Sequence, residues 1–153
     1  MFSLLPLTYL LQRKNCKDCL SWQMNMKVFI VDNSTVVIGR LRSLLADVKD
    51  VEIIGTAQTS IEAIENINVS HPDVVILDVQ LGEGSGFKVL ESLGATTHSP
   101  IVIMFTNLPT MHHYQKCKTL GANYFFDKSN EFEALRQTVQ SLSEKFLYQH
   151  TFH

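Results

Sequence analysis

An alternation constrains this chain most. Short continuous apolar runs at residues 28–31, 51–57, 74–77, 101–105 and 124–126 take turns with stretches whose apolar side chains recur every three or four positions. The runs are rich in Val, Ile and Phe and too short for helices, so they read as strands, the central ones buried on both faces. The stretches between them set Val37, Leu41, Leu44, Leu45 and Val48 on one helical stripe and Ile61, Ile64 and Ile67 on a second. Phe87, Val89, Leu90 and Leu93 form a third, Met111, Tyr114, Cys117 and Leu120 a weaker fourth, and Phe132, Leu135, Val139, Leu142 and Phe146 the clearest. Strand and helix in strict alternation imply an α/β fold: a five-stranded parallel sheet with right-handed crossovers and helices on both faces. The alternation does not by itself set the order of the strands.

Local signals punctuate the pattern. Ser34 or Thr35 can cap the first helix with a side-chain oxygen, Ser60 opens the second, and Gly82, Gly84 and Gly86 mark a turn after the third strand. Gly94 and Gly121 stop the third and fourth helices, and Asn130 with Glu133 has the spacing of a capping box for the last. Asp32-Asn33-Ser34-Thr35 stands where a dinucleotide-binding domain carries Gly-x-Gly-x-x-Gly, which disfavours that function.

Composition narrows the classes further. The 153 residues are 45% hydrophobic and 18% charged, with a net charge of -2, which suits one globular domain and gives no basic excess for nucleic acid or an anionic membrane. Three cysteines argue against a disulfide framework and fit a reducing, cytoplasmic setting. Residues 2–11 are apolar but interrupted by Pro6, shorter than the ~20 residues that span a bilayer. Arg13, Lys14 and Lys17 follow that run, the reverse of a secretory signal. The expected organisation is an extension over 1–25, with the native start at Met24 or Met26, a domain over 26–148 and a tail over 149–153.

The strand ends carry the chemistry. The first run ends on Asp32-Asn33, the third on Asp78, the fourth on Thr106 and the fifth on Asp127-Lys128. In an open parallel sheet that edge is where ligands collect. Acid after the first strand, aspartate after the third, threonine after the fourth and lysine after the fifth resembles the receiver domain of two-component response regulators, the CheY-like family, over residues 27–147. The resemblance implies the flavodoxin-like strand order 2-1-3-4-5. It further implies a phosphoryl acceptor at Asp78, fed by a sensor histidine kinase or a histidine phosphotransfer protein. Mg2+ would be held by Asp32, Asn33, Asp78 and the backbone carbonyl of Gln80, because a carboxylate attacks a phosphoryl group only when that group's charge is neutralised. Lys128 and Thr106 would take phosphoryl oxygens, and Thr106 with Phe125, three before the lysine, would form the switch.

Departures from the family pattern are informative. Asn33 stands where a second aspartate is usual, which removes one negative charge and predicts weaker Mg2+ binding and slower phosphorylation. Ser129 replaces a common proline after the lysine and implies a less rigid loop. Gln80 and an apolar Leu108 occupy the positions that tune phosphoryl lifetime, and Leu108 offers no group to orient water, so a long-lived phosphoaspartate is expected. Val36, Val37 and Ile38 cannot all face the core on a 3.6-residue period, so the excess is assigned, with Ser129, to partner docking.

The expectation is a stand-alone receiver in a cytoplasmic phosphorelay, not an enzyme in the ordinary sense, with a downstream protein target, no direct nucleic acid or membrane contact, and room for a homodimer. The alternative is a pseudo-receiver that binds partners through the same surfaces without phosphorylation, which Asn33 keeps open. A haloacid-dehalogenase-type phosphatase needs a second aspartate two residues after the first, where Gln80 stands. Cys16-Lys17-Asp18-Cys19 lacks the second half of a zinc site, and His112 and His113, adjacent on a helix, are expected in solvent.

Overall fold

A computed structural model describes residues 24–107 and 110–151. Its strands are β1 (Met26–Val31), β2 (Val51–Ala57), β3 (Val74–Leu77), β4 (Ile101–Thr106) and β5 (Tyr124–Asp127). The helices are α1 (Thr35–Leu45), α2 (Ser60–Ser70), α3 (Gly86–Gly94), α4 (Met111–Thr119) and α5 (Phe132–Thr151). The five strands pair in parallel in the order β2-β1-β3-β4-β5. α5 runs on to Thr151, past the expected boundary at 148.

Two-residue periodicity in the central strands builds two cores. Val28, Ile30, Val74, Ile76, Ile103 and Phe105 meet α1 and α5 through Ile38, Leu41, Leu45, Phe132, Leu135, Val139 and Leu142. The intervening Phe29, Val31, Val75, Leu77, Val102 and Met104 meet Ala63 and Ile67 of α2, Val89, Leu90 and Leu93 of α3, and Cys117 of α4. Strands covered on both faces have no polar side to show, which is why they read as unbroken apolar runs.

Several stripes rotate relative to expectation. Ile61 is 59% exposed and the face of α2 that packs is Ser60, Ala63 and Ile67, because repeated steps of three drift around a 3.6-residue helix. The same drift turns Met111 and Tyr114 of α4 outward and leaves Cys117 as its buried residue. Ile38 is 8% exposed and belongs to the core, Val37 packs partly against it, and Val36 alone of the three stands free at 79%. Ile38 is therefore a core residue and does not belong to the docking surface expected of it. Ser34 caps α1, its hydroxyl accepting from the Val37 N–H at 3.3 Å. The capping box at Asn130 does not set the start of α5: the helix opens at Phe132, and it is the Glu131 carboxylate that reaches back to accept from the Asp127 N–H at 2.6 Å. No helix among the described residues is long and apolar enough to cross a membrane.

Candidate functional site

Backbone hydrogen bonds carried one residue past the strands bring the acidic ends together. The Asp32 N–H donates to the Ala57 carbonyl at 3.0 Å, the Asp78 N–H to the Val31 carbonyl at 3.0 Å, and the Lys128 N–H to the Thr106 carbonyl at 3.0 Å. Asp32 and Asp78 thus sit side by side on adjacent strands at the carboxyl edge of the sheet. Lys128 reaches across from β5, although 50 positions separate it from Asp78.

Its ammonium joins both acids. Nζ lies 2.6 Å from Asp78 Oδ2 and is also paired with Asp32 Oδ2. All three residues are buried. The other oxygens are tied to the backbone: Asp32 Oδ1 accepts from the Ser34 N–H at 2.8 Å, and Asp78 Oδ1 from the Gln80 N–H at 3.2 Å. Burial pushes the Asp32 carboxyl above its ordinary range, and the hydrogen bonds from Lys128 and Ser34 only partly offset that desolvation. Thr106 closes β4, 1% exposed, with its hydroxyl donating to the Asn107 carbonyl at 3.3 Å. Asn33 and Gln80 are exposed at the rim.

The donor chemistry fits a hard divalent cation. Carboxylates meet at Asp32 and Asp78, and the backbone carbonyl of Gln80 with the amide carbonyl of Asn33 would complete an all-oxygen set, which suits Mg2+ and not a thiophilic metal. Two carboxylates against one ammonium leave the pocket net negative. Among the described residues no three His, Cys, Asp or Glu side chains are grouped to hold a metal.

Features that spacing did not reveal hold the surrounding loops. Gly86 donates its N–H to the Val79 carbonyl at 2.8 Å, and a Cβ there would stand 2.1 Å from the Asp78 carbonyl oxygen. Ser60, 2% exposed, receives the turn after β3: its N–H donates to the Glu83 carbonyl at 3.2 Å, and Gly84, at φ +83°, would drive a Cβ to 1.9 Å from its hydroxyl. The glycines of the turn were visible in the sequence; their partner on another helix was not. In the loop after Lys128, Asp127 Oδ1 accepts both the Ser129 N–H at 2.9 Å and its hydroxyl at 2.7 Å. These bonds hold the Asp127 carboxyl below its usual range.

Phe125 faces α4, half-buried, with its ring edge-on to Tyr114 at 5.5 Å, whereas Tyr124 packs toward the opposite core. His113 departs from its expected place in solvent: it lies half-buried beside Phe87, ring centroids 5.8 Å apart, with Lys116 Nζ 4.1 Å from the centre of the same phenyl ring. His112 is exposed as expected. Leu108, Cys16 and Cys19 lie outside the described residues.

Comparison with known proteins agrees with this geometry. Residues 28–140 match the family model of the response regulator receiver domain. The chain is 34% identical over 122 residues to a protein-glutamate methylesterase/protein-glutamine glutaminase of Methanosarcina acetivorans, covering 78% of this chain and 35% of that protein. It is 28% identical over 124 residues to the DNA-binding transcriptional activator EvgA of Escherichia coli, covering 80% and 60% respectively. The chain thus spans about a third of the first relative and under two thirds of the second. The response regulator domain of Thermotoga maritima CheB overlays with a TM-score of 0.70 at 20% identity, covering 81% of this chain and 97% of that one. A chain of a CheX–CheY–BeF3–Mg2+ complex from Borrelia burgdorferi overlays with a TM-score of 0.70 at 25% identity, covering 76% and 88%. By fold, by the ordered residues at its strand ends and by the family model that spans most of its length, this chain belongs to the receiver domains of two-component response regulators.

Proposed function

We propose that the chain accepts a phosphoryl group on Asp78 from a sensor histidine kinase or a histidine phosphotransfer protein, with Mg2+ as cofactor, in a cytoplasmic phosphorelay. One observation carries this reading: Asp78, Asp32 and Lys128, from three different strand ends, share a single buried ion-pair cluster at one rim of the sheet. The Asp78 carboxylate attacks phosphorus, the P–N bond to the donor imidazole breaks, and an acyl phosphate forms while the imidazole keeps the electron pair and takes a proton. A divalent cation held by Asp32, Asp78, the Gln80 carbonyl and Asn33 would neutralise the transferring group. Lys128, already on Asp78, moves its hydrogen bond to a phosphoryl oxygen, and the Thr106 hydroxyl and the Asn107 backbone take another.

The same residues supply a switch. Thr106 leaves the Asn107 carbonyl for the phosphoryl group, and Phe125 repacks against Tyr114 on α4. Val36, exposed on α1, and Ser129, exposed after β5, form part of the surface that meets the phosphoryl donor, with Val37 at its edge. Gln80 and Leu108 set the lifetime of the acyl phosphate. Domains of this family are signalling modules, and the chain is read as one; the methylesterase activity is named for the longer relative.

Incubation with acetyl phosphate and Mg2+ should add one phosphoryl mass to the chain, and Asp78→Asn should remove it. No adduct, even with a cognate kinase, would leave the phosphorylation-independent interaction module, which the neutral Asn33 keeps open.

A further inference from the structure

We propose that Ser60 is a positioning residue for the phosphoacceptor site: it is the stop on which the tip of the turn between β3 and α3 rests, and it thereby fixes where that turn holds Gln80 beside Asp78. The inference deepens the receiver reading above and rests on it.

The turn is closed by its own bonds. Gln80 and Ser85 form an antiparallel bridge, Gly86 donates its N–H to the Val79 carbonyl at 2.8 Å, and the Gln80 N–H reaches Asp78 Oδ1 at 3.2 Å. Its base has no slack, because a Cβ on Gly86 would stand 2.1 Å from the Asp78 carbonyl oxygen. A turn bridged across its two arms shifts as a unit, so whatever fixes the tip fixes Gln80 as well.

The tip is held by α2. N–H groups in the first turn of a helix have no partner inside it. The Thr59 hydroxyl accepts the Glu62 N–H at 3.2 Å, whereas the Ser60 N–H donates out of the helix to the Glu83 carbonyl at 3.2 Å, with the Ser60 hydroxyl 3.4 Å from the same oxygen. Ser60 is buried, and Gly84 passes it at φ +83° with no space for a Cβ, which would meet the Ser60 hydroxyl oxygen at 1.9 Å and the Ser60 Cβ at 2.9 Å. A small side chain on one element and a missing one on another are thus fitted to each other. Ser60 acts through Gln80, whose N–H holds the Asp78 carboxylate and whose carbonyl would face the ion.

A pair of substitutions in the full chain tests this. Gly84→Ala drives the tip off Ser60, and adding Ser60→Gly removes both obstructing atoms and leaves the backbone nitrogen of that position at 3.9 Å. The Gln80 amide proton resonance should move upfield in Gly84→Ala, as its bond to Asp78 weakens, and return in the double variant. Calorimetric titration with MgCl2 should show binding about tenfold weaker in Gly84→Ala and recovered in the double variant. The positive φ strains alanine equally in both, so recovery reports the contact with Ser60 and not the backbone. A folded Gly84→Ala with an unmoved Gln80 resonance, or a double variant that stays displaced, overturns the proposal. Ser60→Gly alone withdraws the stop without any clash, and a stationary Gln80 resonance there overturns it equally. Labelling of the unaltered chain by acetyl phosphate scores the receiver reading by itself. A labelled chain whose Gln80 ignores these substitutions sinks the positioning role alone; an unlabelled chain whose Gln80 follows them keeps that role for the turn and removes phosphoryl acceptance.

Discussion

Lys128 and Asp127 are neighbours in the chain with opposite duties. The lysine side chain turns into the pocket, and the aspartate turns back to hold Ser129, so one strand end supplies both the charge of the site and the shape of the loop beside it. Asp127 ionises below its usual range because the Ser129 N–H and hydroxyl stabilise its charged form. A lowered folded-state pKa means that this clamp contributes stability above the unfolded carboxylate range and loses it as pH falls through the folded value. Ser129→Ala, which keeps the N–H bond and removes the hydroxyl, should raise the Asp127 titration midpoint, measured by carboxyl carbon NMR. Cys117 shows the opposite effect: burial pushes its thiol up to about 11, so it should resist iodoacetamide in the native protein and react once urea exposes it, as read by mass-resolved labelling of that residue.

At the scale of elements, the turn between β3 and α3 depends on what it touches. Gly84→Ala sets a Cβ against the Ser60 hydroxyl at a positive φ, and should cost about 1–3 kcal/mol of unfolding free energy by urea titration. Ser34→Ala removes the side-chain acceptor at the start of α1 and should cost about 1 kcal/mol in the same measurement. Both residues were recognisable as turn or cap residues from their type alone. The capping box at Asn130 had equal sequence support and did not set the helix start, because the chain entering α5 is already held by the Glu131 carboxylate on the Asp127 N–H. A cap motif describes what a residue can accept, and the incoming backbone decides which donor arrives.

Across the whole molecule, the sheet is a partition between two cores, and α5 seals one of them. Leu135 is fully buried there beside Phe132, whose ring meets Phe105 edge-on at 4.8 Å. Leu135→Ala should lower stability by about 2–5 kcal/mol with little change in the denaturant slope. The alternation of apolar runs and periodic stretches, and the acids at the carboxyl ends of the runs, were determined by the sequence itself, because periodicity and residue type are local properties of the chain. Tertiary structure decided which of Val36, Val37 and Ile38 turns inward, why Ser60 and not Ile61 is buried, and that one lysine holds two aspartates at once. Those outcomes belong to contacts between distant segments, where a rotation of a helix by a fraction of a turn or the reach of one side chain across a sheet changes the partner, and spacing along the chain carries no record of either.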